Sequence, residues 1–148
     1  MEPNLVSPSH VRALAERLGF QPSRVLGQNF LTDGNILRII LDAAELAGDE
    51  HVLEVGPGLG VLTVELVRRA DHVTAIEKDE RLTAYLGTCF AENSRLTLIR
   101  GDVLDCDWTT PAFRSVSKVV SNLPYSVASR FLVDLARLAD PPARVVIT

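Results

Sequence analysis

The stretch His51-Val52-Leu53-Glu54-Val55-Gly56-Pro57-Gly58-Leu59-Gly60 runs from a short apolar strand pattern into three alternating glycines, and Val61 to Arg69 then continues at helical spacing. A strand that turns directly into a helix needs backbone angles that glycine reaches without strain, and any Cβ there would keep a ligand from lying against the backbone. The helix that follows presents unpaired N–H groups at its start. The stretch therefore predicts a nucleotide-cofactor cradle floored by Gly56, Gly58 and Gly60. A tight strand-to-helix connection without a ligand reads the same way in isolation, so the distinction rests on positions further along.

Downstream, His72-Val73-Thr74-Ala75-Ile76-Glu77 reads as a second strand ending in a carboxylate 21 positions after Gly56. At that interval in a βαβ unit an acidic side chain, which only accepts hydrogen bonds, reaches both hydroxyls of a ribose; a solvated acid at a strand end is the plainer alternative. A helix follows with Leu82, Tyr85, Leu86, Cys89 and Phe90 on one face, then a third strand, Leu96 to Arg100, leading into Gly101-Asp102. Asp102 sits where open α/β sheets bind ligands and can accept from an adenine amino group, or it can simply cap the turn into Val103-Leu104. Residues 105–116 look irregular, with Trp108 as packing. Lys118 to Ser121 is a fourth strand and runs into Asn122-Leu123-Pro124-Tyr125. A last helix is expected over roughly Ser129 to Ala139, burying Phe131, Leu132, Leu135 and Leu138. Arg144 to Thr148 is a fifth strand.

Upstream, Ser7-Pro8 starts a short helix with Val11, Leu14, Ala15 and Leu18 at helical spacing, stopped by Gly19. Residues 21–31 show no sustained period and read as a linker or as a loop folded over a ligand, with Gln28 and Asn29 between Leu26 and Phe30. Asp33 or Thr32 can cap a helix in which Ile36, Ile39, Ile40, Ala43 and Leu46 form the inner face, ending at Gly48. Strand and helix alternate, which predicts an α/β fold with a parallel sheet, right-handed crossovers and helices on both faces.

The chain has 148 residues, of which 47% are hydrophobic and 23% charged. That is one globular domain, residues 1–148, with enough apolar content for a real core. Net charge is −4, with 15 basic against 19 acidic residues, so the whole chain carries no broad positive face for nucleic acid. Cys89 and Cys106 match neither a disulfide framework nor a metal-ligand spacing, which suits a reducing compartment. No run of about 18 apolar residues and no leader-like start occurs, so a cytoplasmic protein with no membrane and no metal is expected.

Asn122 to Tyr125 suggests a chemistry. An exocyclic amine on a base is a poor nucleophile because its lone pair is delocalised into the ring. Acceptors that hold its two hydrogens favour the pyramidal form that attacks, and the Asn122 side-chain oxygen with the Leu123 carbonyl can serve. Pro124 stiffens the turn and lacks a competing N–H. Tyr125 can stack on an extruded base; a proline turn with Tyr125 in the core is the alternative.

Gly27-Gln28-Asn29-Phe30-Leu31, Glu54 to Gly60, Glu77, Gly101-Asp102 and Asn122 to Tyr125 together resemble the rRNA adenine N6,N6-dimethyltransferases of the KsgA/RsmA type, across essentially the whole chain. The resemblance implies a Rossmann-like S-adenosylmethionine-dependent methyltransferase fold. It puts Asn29 and Leu31 over the cofactor, Gly56 against its methionine part, Glu77 on the ribose, Asp102 at the adenine and Asn122 beside the reacting methyl, with small-subunit rRNA or a pre-ribosomal subunit as partner. Macrolide-resistance rRNA methyltransferases share the plan, but Leu123 and the Gly-Pro-Gly-Leu-Gly run look more like the housekeeping branch. Two departures stand out: only Arg24 is basic just before Gly27, and the family continues through two further strands and a helical domain. The fold is thus expected to be cut short after about five strands. The chain alone is then expected to be silent on rRNA, and Val145-Val146-Ile147 to form an apolar edge that invites self-association. Competing readings are methylation of another planar nitrogen such as a protein glutamine, an RNA or transcription partner without catalysis, and a nicotinamide dehydrogenase.

Overall fold

The structure, a computed structural model, describes residues 7–20 and 30–148. The five expected strands, β1 (His51–Val55), β2 (His72–Glu77), β3 (Leu96–Arg100), β4 (Lys118–Ser121) and β5 (Arg144–Ile147), pair in parallel in the order β3-β2-β1-β4-β5. β1 is therefore flanked by β2 on one side and β4 on the other, and the chain reverses its direction of travel across the sheet between them. Ligands of open α/β sheets lie outside the strands' carboxyl ends at such a switch point. The registers Val55↔Ile76 and Glu77↔Arg100 bring the carboxyl ends of β1, β2 and β3 to one rim.

Side chains alternate across a strand, and the two core clusters follow that alternation. Val52, Val73 and Val120 face α2 (Gly34–Ala44) and α3 (Val61–Arg69) through Ile40, Leu41, Leu62 and Leu66. Leu53, Val55, Ile76 and Val119 face the other way, onto Ala128, Phe131 and Leu135 of α6 (Tyr125–Ala136). Helices thus cover both faces. α1 (Pro8–Arg17) packs Val11 and Ala15 with Phe20, Leu59 and Leu82, the last from α4 (Glu80–Cys89). Trp108 packs on Phe131, ring centroids 5.7 Å apart, and so anchors the segment after β3. That segment is not wholly irregular: a 3-10 turn (Val103–Asp105) and a one-turn helix, α5 (Pro111–Arg114), lie within it.

Two helix readings are corrected. In α2 the inner face is Ile40, Leu41 and Ala44, while Ile36 and Ile39 are 39% and 55% exposed. The helix is capped by Asp33, whose side chain accepts from the Asn35 amide at 2.7 Å, and it ends at Ala44, where Glu45 takes φ 46° well before Gly48. The last helix begins at Tyr125, four residues earlier than expected, and ends at Ala136; Leu132 points outward at 43% exposure. Among the described residues no helix is long and apolar enough to cross a membrane.

Candidate functional site

A cleft of about 480 Å³ opens at the carboxyl ends of β1 to β4. Gly56, Glu77, Asp102, Asn122, Leu123 and Pro124 are all in its wall, so residues spread over 69 positions of sequence converge on one space. The glycine turn supplies the floor, with φ of 65°, 59° and 84° at Gly56, Gly58 and Gly60. A Cβ on Gly56 would stand 3.2 Å from Leu123 Cδ2, and one on Gly60 2.9 Å from Leu86 Cδ2. At both positions the positive φ disfavours any side chain, and a Cβ would in addition push on a leucine methyl. Gly60 is also the N-cap residue of α3.

Glu77 is 6% exposed at the end of β2. Its Oε2 accepts from the Gly58 amide at 3.1 Å and its Oε1 from the Asp79 amide at 2.9 Å, so one carboxylate ties the glycine turn to the start of α4. Burial raises its pKa, against those amides, which favour the charge. Asp102 caps the turn into Val103-Leu104, its Oδ1 accepting from the Leu104 amide at 3.0 Å, and it also lines the cleft. Its Oδ2 accepts from Lys78 Nζ at 2.8 Å, and Lys78 holds the Asp102 carboxyl below its ordinary pKa.

On the opposite wall, the Val55 amide donates to Ser121 Oγ at 2.9 Å, fastening the end of β1 to that of β4. The Leu123 amide donates to the Thr148 carbonyl at 2.9 Å, and Thr148 Oγ donates to Asn122 Oδ1 at 3.3 Å. Asn122 is thereby held at the edge of Gly56, next to the buried Leu123. Pro124, at φ −59°, caps α6, and Tyr125 is 88% exposed, so the core alternative for that ring is overturned.

Phe30 and Leu31 border a smaller recess that opens beside Gly56, Gly58 and Asn122. Gln28 and Asn29 lie outside the described residues. The recess exposes a residue that the sequence reading passed over, Glu54, which is 1% exposed on β1. Burial pushes its pKa up to about 8; the Thr63 hydroxyl works against this and the Glu77 charge adds to it. A carboxylate inside the apolar run Val52-Leu53-Glu54-Val55 was the available signal. Among the described residues no group of three or more His, Cys, Asp or Glu could hold a metal ion.

The stretch that carries the glycine turn, the acid ending β2 and the amide-bearing turn after β4 falls within residues 19–147, which match a family model described as Ribosomal RNA adenine dimethylase. This chain belongs to that family. Ribosomal RNA small subunit methyltransferase A of Deinococcus radiodurans is 48% identical over 128 residues, which are 86% of this chain and 43% of that protein. The crystal structure of the 23S rRNA methyltransferase ErmE is similar at TM-score 0.64 and 28% identity, over 78% of this chain and 45% of that one. A dimethyladenosine transferase from Plasmodium falciparum is similar at TM-score 0.63 and 26% identity, over 74% and 39%. The fold is thus the Rossmann-like methyltransferase fold. The chain spans about half the length of the curated relatives it matches.

Proposed function

We propose that the protein transfers methyl groups from S-adenosylmethionine to the exocyclic N6 of adenines in small-subunit rRNA, dimethylating them during ribosome biogenesis in the cytoplasm. The observation that carries this reading is Asn122: an amide acceptor fixed at the switch point, across the cleft floor from Gly56 and beside an exposed Tyr125. The cleft fits the cofactor on its own terms. Gly56 takes a positive φ where a Cβ would crowd the Leu123 side chain, a carboxylate stands at the end of β2, and a buried carboxylate oxygen in the adjoining recess has no hydrogen-bond partner among the described residues.

S-adenosylmethionine supplies an electrophilic methyl group when bound. Glu77 would accept from the ribose hydroxyls, Asp102 from the adenine amino group, and Gly56 would let the methionine part lie against the backbone, with Asn29 and Leu31 over it. Gly58 and Gly60 keep that turn open and start α3 beneath it. On the substrate side, Asn122 Oδ1 and the Leu123 carbonyl would hold the amine hydrogens and favour the pyramidal nitrogen, while Tyr125 stacks on the base. A strong general base is unnecessary, because a methylated ammonium loses its proton readily. The names of the curated relatives favour small-subunit rRNA over the large-subunit target in the name of ErmE.

With 15 basic and 19 acidic residues, the 148-residue chain has little phosphate-neutralising capacity, so its grip on rRNA alone is weak and its own turnover slight. Its β5 edge, with Val145, Val146 and Ile147, offers a pairing surface to a second copy. The reading is tested by calorimetry of this chain with S-adenosylmethionine and with NAD, and by single-turnover methyl transfer to unmodified small-subunit rRNA at full length. Expected are binding of the first cofactor only, and an Asn122→Ala variant that slows transfer more than it weakens RNA binding. Preference for NAD, or a near-normal rate in Asn122→Ala, would refute it.

A further inference from the structure

Arg81, the second residue of α4, takes no part in the chemistry above, yet its guanidinium is committed in three directions. Nη2 donates to Asp79 Oδ2 at 3.1 Å, and Asp79 both caps α4 and donates its amide to Glu77 Oε1. Nη1 donates at 2.9 Å to the carbonyl of Gly19, 62 positions away in sequence. Cζ stands over the Phe20 ring, 3.9 Å from its centroid. A flat fork with several N–H donors can serve all three partners together, whereas a single ammonium cannot. The ion pair with Asp79 is half-exposed on the arginine side, too solvated to matter much to the fold by itself.

The stack on Phe20 leads to the cofactor cleft. Phe20 is buried in one cluster with Val11, Ala15, Leu59 and Leu82, so the ring under Arg81 packs together with the leucine of the glycine turn. Phe20 and Phe30 meet edge to face, with centroids 6.2 Å apart and planes at 84°. Phe30 in turn rests on the turn itself: a Cβ on Gly58 would lie 3.1 Å from Phe30 Cδ1. Its ring borders both the main cleft and the adjoining recess. A ring lying on a glycine has no side chain beneath it to fix its place, so its place depends on the aromatic neighbour at its edge.

We propose that Arg81 is a positioning residue for cofactor binding: it pins Phe20, and Phe20 seats Phe30 on the glycine turn at the border of the cleft and its recess. Arg81 acts through these two rings and touches neither cofactor nor substrate. This inference rests on the S-adenosylmethionine reading above. It places the cost of losing Arg81 on cofactor affinity, and it makes that cost depend on the presence of the Phe30 ring.

The test is a double-mutant cycle on the 148-residue chain, read by calorimetry with S-adenosylmethionine, over Arg81→Met and Phe30→Ala. Methionine keeps an unbranched apolar stem and removes the fork. Arg81→Met is expected to weaken binding about fivefold, and Phe30→Ala about tenfold. The double variant is expected to bind within about twofold of Phe30→Ala, because without that ring Arg81 has nothing left to position. A merely structural arginine would instead give losses that multiply. Wild-type affinity in Arg81→Met overturns the inference and leaves the cofactor reading standing. Losses that multiply in the double variant also overturn it, because Arg81 then acts by a route other than Phe30. Absence of any S-adenosylmethionine binding by wild type overturns the cofactor reading and the inference together. Should Arg81→Met fail to fold, Arg81→Lys takes its place in the same cycle: it keeps a cation beside Asp79 but cannot also stack on Phe20 and reach Gly19. A loss of about threefold that vanishes in the Phe30→Ala background then supports the proposal, and wild-type affinity or multiplying losses refute it.

Discussion

Glu50 and Glu54 stand four residues apart at the two ends of β1, at 8% and 1% exposure, and they show what separates the two ends of the sheet. At the amino end every demand is met: the Glu50 carboxylate accepts from Lys118 Nζ at 2.7 Å and from the Ala47 and Gly48 amides at 2.7 and 2.8 Å. Lys118 in turn also donates to the Ala44 and Glu45 carbonyls. Burial would raise the Glu50 pKa, but Lys118 and the amides outweigh it and hold it at about 2. The neighbouring histidines are paired too, His51 with Ser115 and Thr74, and His72 with Thr97. At the carboxyl end, by contrast, one Glu54 oxygen has no partner among the described residues, and burial pushes the Glu54 pKa up to about 8. Polar groups that satisfy one another hold a fold together, and those left waiting at a cleft mark where a ligand completes the structure.

The sharpest break in this comparison comes from Lys118→Met, which strands the Glu50 charge. We expect a loss of about 3 kcal/mol or more in urea denaturation, with S-adenosylmethionine affinity in the folded fraction unchanged. A loss confined to cofactor binding would merge the two ends. Next in size is Glu77→Ala, expected to weaken S-adenosylmethionine binding by about 1.5–3 kcal/mol in calorimetry; an unchanged affinity in a folded variant would remove Glu77 from the ribose.

The two acids should also tilt stability with pH in opposite directions. Glu54 has a folded pKa of about 8 against an ordinary 4.5, so the folded state holds a proton that the unfolded chain has released. Its contribution is present below about 4.5 and is lost as pH rises toward 8. Glu50, held at about 2, contributes above its ordinary 4.5, and that contribution is lost as pH falls toward 2. Denaturation series on wild type, Glu54→Gln and Glu50→Gln should separate the windows: wild type should lose stability relative to Glu54→Gln only in the upper one, and relative to Glu50→Gln only in the lower. The smallest effect is expected at Lys78, whose bridge to Asp102 is exposed at 77% on the lysine side. Lys78→Ala should leave the melting temperature unchanged within error, in contrast to Lys118→Met.

Much of the site was legible in sequence because a βαβ crossover fixes where its parts fall. Once β1 ends at Val55 and a helix starts at Val61, the chain must return to a neighbouring strand, and Glu77 and Asp102 are delivered to the same rim as Gly56. The errors have specific physical causes. Ser129 resembles a helix cap, but its hydroxyl donates to the Tyr125 carbonyl four residues earlier at 3.1 Å, inside a helix that Pro124 has already begun. In α2, apolar residues stand on both sides of the helix, so periodicity could not decide which isoleucines face the sheet. Glu54 was hidden because strand spacing says which face a residue takes, and nothing about whether its carboxylate finds a partner there.

The most direct measurement is a titration of the 15N-labelled chain with S-adenosylmethionine followed by amide shifts. The account predicts saturable changes at Gly56, Gly58, Gly101 and Asn122, and at Glu54 and Thr63 beside the recess, with the amides around Glu50, His51, His72 and Lys118 unmoved. Shifts concentrated at that amino end, or none at the glycine turn at saturating cofactor, would contradict it.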